Sequence, residues 1–214
     1  MDGITETTRS VLHVGCGAPG IERLHPIFHA AERWREVRLD VDPRVVPDIV
    51  CSTTDMRRAV VDQSFDALWS SHNIEHLYDH EVKLALAEFR RVLKRSGFAL
   101  IRCPDLQAIL ETALAGGVET VSYVAPAGPV TPLDMLYGFR PSIARGNDFM
   151  AHKTGFTDLR LGRLLIEAGF AEVRTKRAAF DLWAVAVADA GRTQEVLAQL
   201  EASGTEFDTP QDPG

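Results

Sequence analysis

Cysteine is scarce in this 214-residue chain, which has three of them, Cys16, Cys51 and Cys103. Their number is odd, they lie far apart, and no C-x-x-C pair occurs. A disulfide framework or a zinc knuckle is therefore not expected, and a reducing cytoplasm is the compartment that this usage favours. All three lie at or near the ends of predicted strands, where they fit as small apolar side chains.

The chain also lacks an excess of positive charge, because its formal net charge is −7. Nucleic-acid and anionic-membrane binders need a basic face, so we expect neither as a partner. The nearest basic cluster, within residues 90–95, fits a helix C-terminus, where cations are favoured. No apolar run approaches the ~20 residues of a membrane span, and the polar residues 1–10 do not read as a signal peptide.

The composition that remains, 45% hydrophobic and 25% charged residues, is that of an ordinary globular protein. The length fits one domain, which we expect at residues 1–203, with a cap or insertion over about residues 115–155. Residues 204–214 are acidic and contain proline and glycine, so we expect a disordered tail there. A monomer or a homodimer is the expected state.

A glycine-rich turn is the most informative local pattern. Gly15, Gly17 and Gly20 have G-x-G-x-x-G spacing between an apolar strand, Val11–Val14, and a segment of helical periodicity, Ile21–Ala31. A strand, a glycine turn and a helix bring backbone N–H groups against a ligand. Alone, the pattern fits a dinucleotide, another nucleoside cofactor or merely a tight turn.

Strands and helices alternate along the chain, which predicts βαβ units and a parallel sheet. The predicted strands are 11–14, 34–41, 47–51, 65–70, 98–103, 171–177 and 182–187; the predicted helices are 21–31, 56–61, 79–94, 105–114, 158–168 and 193–202, with a loop over 121–132. In such sheets the ligand binds beyond the carboxyl ends of the strands. That rule gathers Gly15–Gly20, Asp40–Asp42, Thr53–Met56, Ser70–His76 and Cys103–Asp105 on one rim.

This order of parts resembles the class I S-adenosylmethionine-dependent methyltransferases, specifically the small type 11-like group, over residues 11–187. The segments that carry the resemblance are His13–Gly17, Leu39–Pro43, Ser52–Met56, Phe65–His76, Val92–Phe98 and Leu165–Phe170. The chain departs from the family at His13, where an acid usually stands two residues ahead of the first glycine.

The resemblance implies a Rossmann-like, doubly wound α/β fold with a mostly parallel seven-stranded sheet. Helices would cover both faces, and the last strand, Phe180–Val187, would be antiparallel. S-adenosylmethionine would be the cofactor. Its ribose hydroxyls would bind the Asp40 carboxylate, which accepts two O–H donors at once. Asp55 would accept from the adenine amino group, Met56 would lie against the ring, and Ser70–His72 would approach the sulfonium. The expected cofactor contacts are His13, Gly15, Cys16, Gly17, Asp40, Val41, Thr54, Asp55, Met56, Ser70, Ser71 and His72.

Residues 72–76 also match H-x-x-E-H, the pattern of inverted zincins. A zinc site would need both histidines on one helix face, but the motif follows a strand directly. We therefore interpret it as a turn and expect no metal. His76 is a candidate for substrate contact.

Methyl transfer requires an acceptor held in line and, for a hydroxyl acceptor, removal of a proton. Histidine suits that step, so His72 and His152 are the candidate catalytic bases. Tyr137 and Arg140, in the expected cap, are candidates for substrate binding.

We therefore expect a methyltransferase acting on a hydroxyl or amine of a small-molecule acceptor, most simply a sugar or natural product. A nicotinamide-dependent oxidoreductase shares the glycine spacing and the acid after the second strand. An inactive cofactor-fold partner protein is the other alternative, because of His13. Asp55–Met56 and the closing strand pair favour the methyltransferase.

Overall fold

The computed structural model describes residues 8–207 and contains a seven-stranded sheet. Its strands are β1 (Arg9–Val14), β2 (Trp34–Asp40), β3 (Ile49–Val50), β4 (Phe65–Ser71), β5 (Leu93–Pro104), β8 (Glu172–Ala178) and β9 (Asp181–Val187), while β6 (Tyr123–Ala125) and β7 (Gly128–Val130) form a separate hairpin. The order across the sheet is β3-β2-β1-β4-β5-β9-β8; β9 runs antiparallel to both β5 and β8, and the other pairings are parallel. The predicted fold class is confirmed.

The α-helices within residues 8–207 lie on both sides of the sheet and in a cap. They are α1 (Asp79–Val92), α2 (Leu106–Gly116), α3 (Pro132–Tyr137), α4 (Arg140–Ile143), α5 (Asp158–Glu167) and α6 (Thr193–Ala202). Helix α1 forms where the sequence predicts it, because Val82, Leu86 and Phe89 recur at helical spacing and are fully buried. The Glu81 side chain accepts the Tyr78 N–H at the helix start.

Two hydrophobic layers hold the sheet, because successive side chains of a strand point to opposite faces. On one face, Leu12 and Leu68 pack with Phe89 of α1 and Leu165 of α5. On the other face, Val11, Trp69 and Leu100 pack with Phe28 and with Leu200 of α6.

The predicted helix over 21–31 is wrong. Two short 3-10 turns, Ile21–Arg23 and Pro26–Phe28, replace it. Pro26 lacks an N–H and forces the preceding residue out of the helical region, so His25 is extended at φ −67° and ψ 141°. The glycine turn therefore leads into irregular backbone and not into a helix N-terminus.

The predicted short helix over 56–61 is also wrong. One turn forms there, in which the carbonyl of Met56 accepts the N–H groups of Ala59 and Val60. Met56 and Val60 are buried in the core and anchor the turn, so tertiary packing rather than helical propensity sets its shape.

The cap follows β5 and contains α2, the hairpin, α3 and α4. The hairpin was not predicted, because its proline and glycine residues indicated a loop. A small hydrophobic cluster of Ile109, Val130 and Met135 holds the cap together. Within the predicted tail, Thr205 bonds to His25 and Phe207 packs against the second layer, so residues 204–207 belong to the domain. Residues 208–214 lie outside the described residues.

Candidate active site

The glycine turn follows β1 directly. Gly15 and Gly17 both have φ of 61°, a left-handed conformation that only glycine adopts without cost. A Cβ on Gly15 would lie 2.5 Å from Oδ1 of Asn73, and one on Gly17 would lie 3.0 Å from Nη1 of Arg23. Both the backbone and its close neighbours therefore require glycine at these positions.

The carboxylate of Asp40 fixes this turn. Its Oδ2 accepts the Gly17 N–H at 2.8 Å, and its Oδ1 accepts the Asp42 N–H at 2.9 Å. Each carboxylate oxygen has two lone pairs, so each keeps one for a further donor. Asp40 is partly exposed, and the neighbouring Val41 is 51% exposed. The acid at the end of β2 thus combines a fixed position with free acceptor capacity.

Two of the predicted contacts lie beneath the turn. His13 is buried, and its Nδ1 lies 2.6 Å from Oε1 of Glu36 on β2. Cys16 is also buried, and burial raises the pKa of its thiol to about 11. Both side chains support the turn and expose almost no surface to a ligand.

A side chain of α1 stabilises the loop after β3. Oε2 of Glu88, a buried carboxylate, accepts the Met56 N–H at 2.7 Å, and Arg91 donates to both oxygens of Glu88. The Met56 side chain is fully buried in the core, so the structure does not place it at an open adenine surface. Asp55 is exposed, and Thr54 bonds to Ser52 beside it.

At the end of β4, polar side chains crowd together. Ser70 is fully buried, and its Oγ lacks a hydrogen-bond partner, as does Nδ2 of Asn73. The Ser71 hydroxyl accepts the Nε–H of Arg102. His72 follows with a φ of 48°, an uncommon conformation for a non-glycine residue. These positions adjoin the glycine turn, as the sequence predicts.

His72 is paired on both of its ring nitrogens. Its Nε2 lies 3.2 Å from Oδ1 of Asp181, and its Nδ1 lies 3.3 Å from Oε1 of Glu75. Burial opposes its charge, but the Asp181 and Glu75 carboxylates outweigh that effect and raise the pKa of His72 to about 9. A protonated imidazole donates hydrogen bonds and cannot accept a proton, which argues against the base role expected for His72.

A second pair of histidines, His76 and His152, lies near His72 and Glu75. Nδ1 of His76 lies 3.1 Å from the carbonyl oxygen of Ala151, and Nδ1 of His152 lies 2.8 Å from that of Met135. The two rings are 5.0 Å apart. Burial is the main cause that lowers the pKa of His152, so its imidazole is neutral at pH 7.

Glu75 joins the two histidine pairs and is 1% exposed. Burial opposes its charge, but the positive charge of His72, with His76 and His152 nearby, lowers the pKa of Glu75. This carboxylate is therefore ionised in the interior of the protein.

A cavity of about 170 Å³ opens between this cluster and the cap. That volume is comparable to a cavity that holds one six-membered ring. Its lining residues are Glu75, Pro104, Leu106, Ile109, Met135, Leu136, Tyr137, His152, Lys153, Thr154 and Gly155. Because Glu75 follows β4 and Pro104 ends β5, the cavity lies on the same rim as the glycine turn.

The structure brings Tyr137 and His152 together at this cavity but not Arg140. Nε of Arg140 donates to Oδ1 of Asp134 at 2.8 Å, and Asp134 also accepts from Thr131. Arg140 therefore stabilises the cap beside α3. Sequence reasoning did not identify Asp181, the first residue of β9. The fold brings its carboxylate to His72, which follows β4.

Comparison with known proteins shows which family part of this chain resembles. Residues 12–101 match the sequence model of a family described as a methyltransferase domain. This segment, which runs from β1 into β5, is therefore similar to methyltransferase domains. The predicted enzyme class is confirmed, and S-adenosylmethionine is the cofactor that the family implies. None of the curated proteins compared with the chain matches it significantly in sequence.

Several solved structures share the fold of the methyltransferase domain at low sequence identity. The PH0226 protein of Pyrococcus horikoshii is 16% identical with a TM-score of 0.57, and the match covers 86% of this chain and 84% of that one. A SAM-dependent methyltransferase of Archaeoglobus fulgidus is 14% identical, with a TM-score of 0.54 and coverage of 85% and 87%. One from Methanosarcina mazei is 15% identical, with a TM-score of 0.51 and coverage of 84% and 92%. Within residues 8–207, no helix of the domain is long and apolar enough to cross a membrane.

Proposed function

We propose that the protein transfers a methyl group from S-adenosylmethionine to a hydroxyl or amine of a small-molecule acceptor, such as a sugar or natural product. The cavity beside His152 carries this proposal. It adjoins the ends of β4 and β5, has room for about one ring, and combines apolar walls with ionisable groups that include Glu75, His152 and Lys153. Such a cavity suits a compact polar molecule.

The residues at the glycine turn fit the cofactor. Asp40 keeps acceptor capacity on both carboxylate oxygens, which suits the two ribose hydroxyls. Nδ2 of Asn73 is a buried donor without a partner beside Gly15, and it suits the carboxylate of a methionine tail. Exposed Asp55 suits the adenine amino group. When bound, the cofactor would supply an electrophilic methyl group.

His152 is the histidine better suited to accept the proton of a hydroxyl acceptor. Its Nδ1 faces a carbonyl oxygen, which only accepts, so Nδ1 carries the hydrogen and Nε2 carries the lone pair. Its pKa is lowered, so the base form is populated at pH 7. Tyr137, whose carbonyl oxygen accepts the His152 N–H, lines the same cavity and would contact the acceptor.

We further propose a cytoplasmic location and a monomer or homodimer. The three cysteines are free thiols in the structure. Free, mostly buried thiols suit a reducing compartment.

An acceptor screen tests the proposed reaction. The full chain would be incubated with S-adenosylmethionine and a panel of sugars, phenols and amines, and S-adenosylhomocysteine release and product mass would be measured. With the best acceptor, His152→Ala should lower kcat about 10²-fold or more and leave the Kd for S-adenosylhomocysteine unchanged. His80→Ala, in an exposed position on α1, is the control. An unchanged kcat in His152→Ala would contradict the base role.

A further inference from the structure

We propose that Glu75, His76 and His152 form a binding site for one divalent transition-metal ion of the Zn²⁺ type at the floor of the cavity. One candidate ligand atom from each of these three residues lies within 4.8 Å of the other two. Glu75 and His76 come from the turn after β4, and His152 comes from the segment that closes the cap. The site would therefore join two parts of the fold that are distant in sequence.

The hydrogen bonds of the two histidines prepare them as ligands. Nδ1 of His76 faces the carbonyl oxygen of Ala151, and Nδ1 of His152 faces that of Met135. Carbonyl oxygens only accept, so each Nδ1 carries the hydrogen and each Nε2 keeps its lone pair. Metal-binding histidines characteristically donate their second ring N–H to a backbone carbonyl or carboxylate in this way.

The third ligand, Glu75, is a buried carboxylate with unused acceptor capacity. Glu75 is 1% exposed, and both of its carboxylate oxygens lack a hydrogen-bond partner. The nearest ring nitrogens are Nδ1 of His72 at 3.3 Å and Nε2 of His76 at 4.0 Å. A buried carboxylate is costly unless it is paired or coordinates a metal. His72 supplies one positive charge, which Glu75 shares with Asp181, while Oε2 of Glu75 has no hydrogen-bond partner and is available to a further cation.

The ligand set selects the class of ion. Two imidazole nitrogens and one carboxylate oxygen are the donors of catalytic zinc sites, which keep a further position open. Mg²⁺ and Ca²⁺ prefer oxygen donors throughout and fit poorly. In a tetrahedral zinc site the ligand atoms lie about 3.3 Å apart, so small side-chain movements would close this one. Because Glu75 and His152 line the cavity, the open position would face the acceptor.

The residues of the H-x-x-E-H motif at 72–76 therefore do not form the metal site of an inverted zincin. Ile74–His76 forms a 3-10 turn and not part of an α-helix, so His72 and His76 do not share a helix face. His72 instead pairs with Glu75 and Asp181. The second histidine ligand comes from His152, which sequence spacing could not indicate.

Ion binding itself does not depend on the proposed function, whereas its role does. Assuming methyl transfer to a hydroxyl, a metal-bound acceptor hydroxyl would lose its proton more readily, because a bound divalent ion lowers the pKa of its ligand oxygen. In that state Nε2 of His152 would coordinate the ion, and the proton of the acceptor hydroxyl would pass to solvent water.

Metal titration of the chelator-treated full chain tests the site. Isothermal titration with Zn²⁺, and the visible absorption of bound Co²⁺, should show one ion per chain. Glu75→Gln and His152→Ala should each weaken Zn²⁺ binding at least tenfold, whereas His80→Ala should bind as the wild type does. No binding by the wild type, or equal affinity in all variants, would overturn the proposal.

Two further measurements keep the test independent of folding and of the proposed function. Zinc-edge X-ray absorption of the loaded wild type should show imidazole and oxygen ligands, and sulfur ligation by a cysteine would overturn the site. The Kd for S-adenosylhomocysteine should stay unchanged in His152→Ala. If the wild type binds S-adenosylhomocysteine but not Zn²⁺, the metal site fails while the cofactor assignment stands.

Discussion

The Asp40 carboxylate accepts the backbone N–H of Gly17 at 2.8 Å, which ties the acid at the end of β2 to the glycine turn at the end of β1. This contact brings the two most informative features of the sequence together. It also positions the only carboxylate that bonds to the turn among the described residues. Asp40 therefore both shapes the turn and offers acceptor atoms to a ligand.

The first prediction concerns this carboxylate. Asp40→Ala should raise the Kd for S-adenosylhomocysteine at least about tenfold, because hydrogen bonds to a charged acceptor contribute about 1.5–3 kcal/mol each. Isothermal titration measures the Kd, and circular dichroism checks that the fold survives. Asp42→Ala is the control, since the Asp42 side chain bonds to Arg44 and not to the turn. An unchanged affinity in Asp40→Ala would remove the ribose assignment.

A second prediction concerns Glu88, which supports the loop after β3. Glu88→Gln should lower the free energy of unfolding by about 2–4 kcal/mol, because it breaks a buried pair with Arg91. Urea unfolding measures this change. Glu167→Gln removes a charge from an exposed pair with Lys83 and should change stability by less than about 1 kcal/mol. Equal effects in the two variants would contradict the role of Glu88.

The sequence predicted the sheet well because each strand is a short apolar run whose periodicity does not depend on distant contacts. Strands β4 (Phe65–Ser71) and β9 (Asp181–Val187) are examples. The residues after the strands, such as Asp40 and Ser70, could be assigned to one rim by topology alone. The helix expected over 21–31 does not form, because Pro26 interrupts the backbone despite the apolar periodicity of the segment.

The pairing of site residues could not be predicted from spacing. His72 with Asp181, and Glu75 with His152, join residues more than 70 positions apart, and the fold alone brings them together. The partner of Arg140 could not be predicted either, because the sequence shows only a positively charged residue near Tyr137. In the structure it is committed to Asp134.

A third prediction concerns the cap. Gly138 has φ of 92°, and a Cβ there would lie 1.9 Å from the carbonyl oxygen of Met150. Gly138→Ala should therefore lower the free energy of unfolding by about 3 kcal/mol or more and increase hydrogen exchange in the cap. Gly146→Ala shares the positive φ of 88° but meets no atom within 4 Å, so its cost should be about 1 kcal/mol. The reverse ranking would contradict the packing of the cap.

A fourth prediction concerns the pH dependence of stability. Burial, with the positive charges of Arg102 and His29, lowers the pKa of His25 to about 4. Its Nδ1 accepts the Ile27 N–H, so protonation would break this contact. Because the unfolded chain has the higher pKa, of about 6.5, the contribution is complete above that pH and is lost as the pH falls toward 4.

The matched variant for this group is His25→Asn, whose amide oxygen can accept the same N–H but does not titrate. Between pH 7 and pH 4.5, the wild type should lose about 1–3 kcal/mol more unfolding free energy than the variant. Urea unfolding at both pH values measures the difference. Parallel curves for the two proteins would show that His25 titrates normally in the fold.

Thermal unfolding of the full chain with S-adenosylmethionine, S-adenosylhomocysteine or NAD tests the central claim most directly. A ligand at 100 times its Kd stabilises the folded state by about 2.7 kcal/mol. For a domain of this size, both S-adenosyl compounds should therefore raise Tm by about 5–10 °C, and NAD should not raise it. Stabilisation by NAD alone would indicate an oxidoreductase, and no response to any of the three would indicate an inactive partner protein; either result would contradict the account.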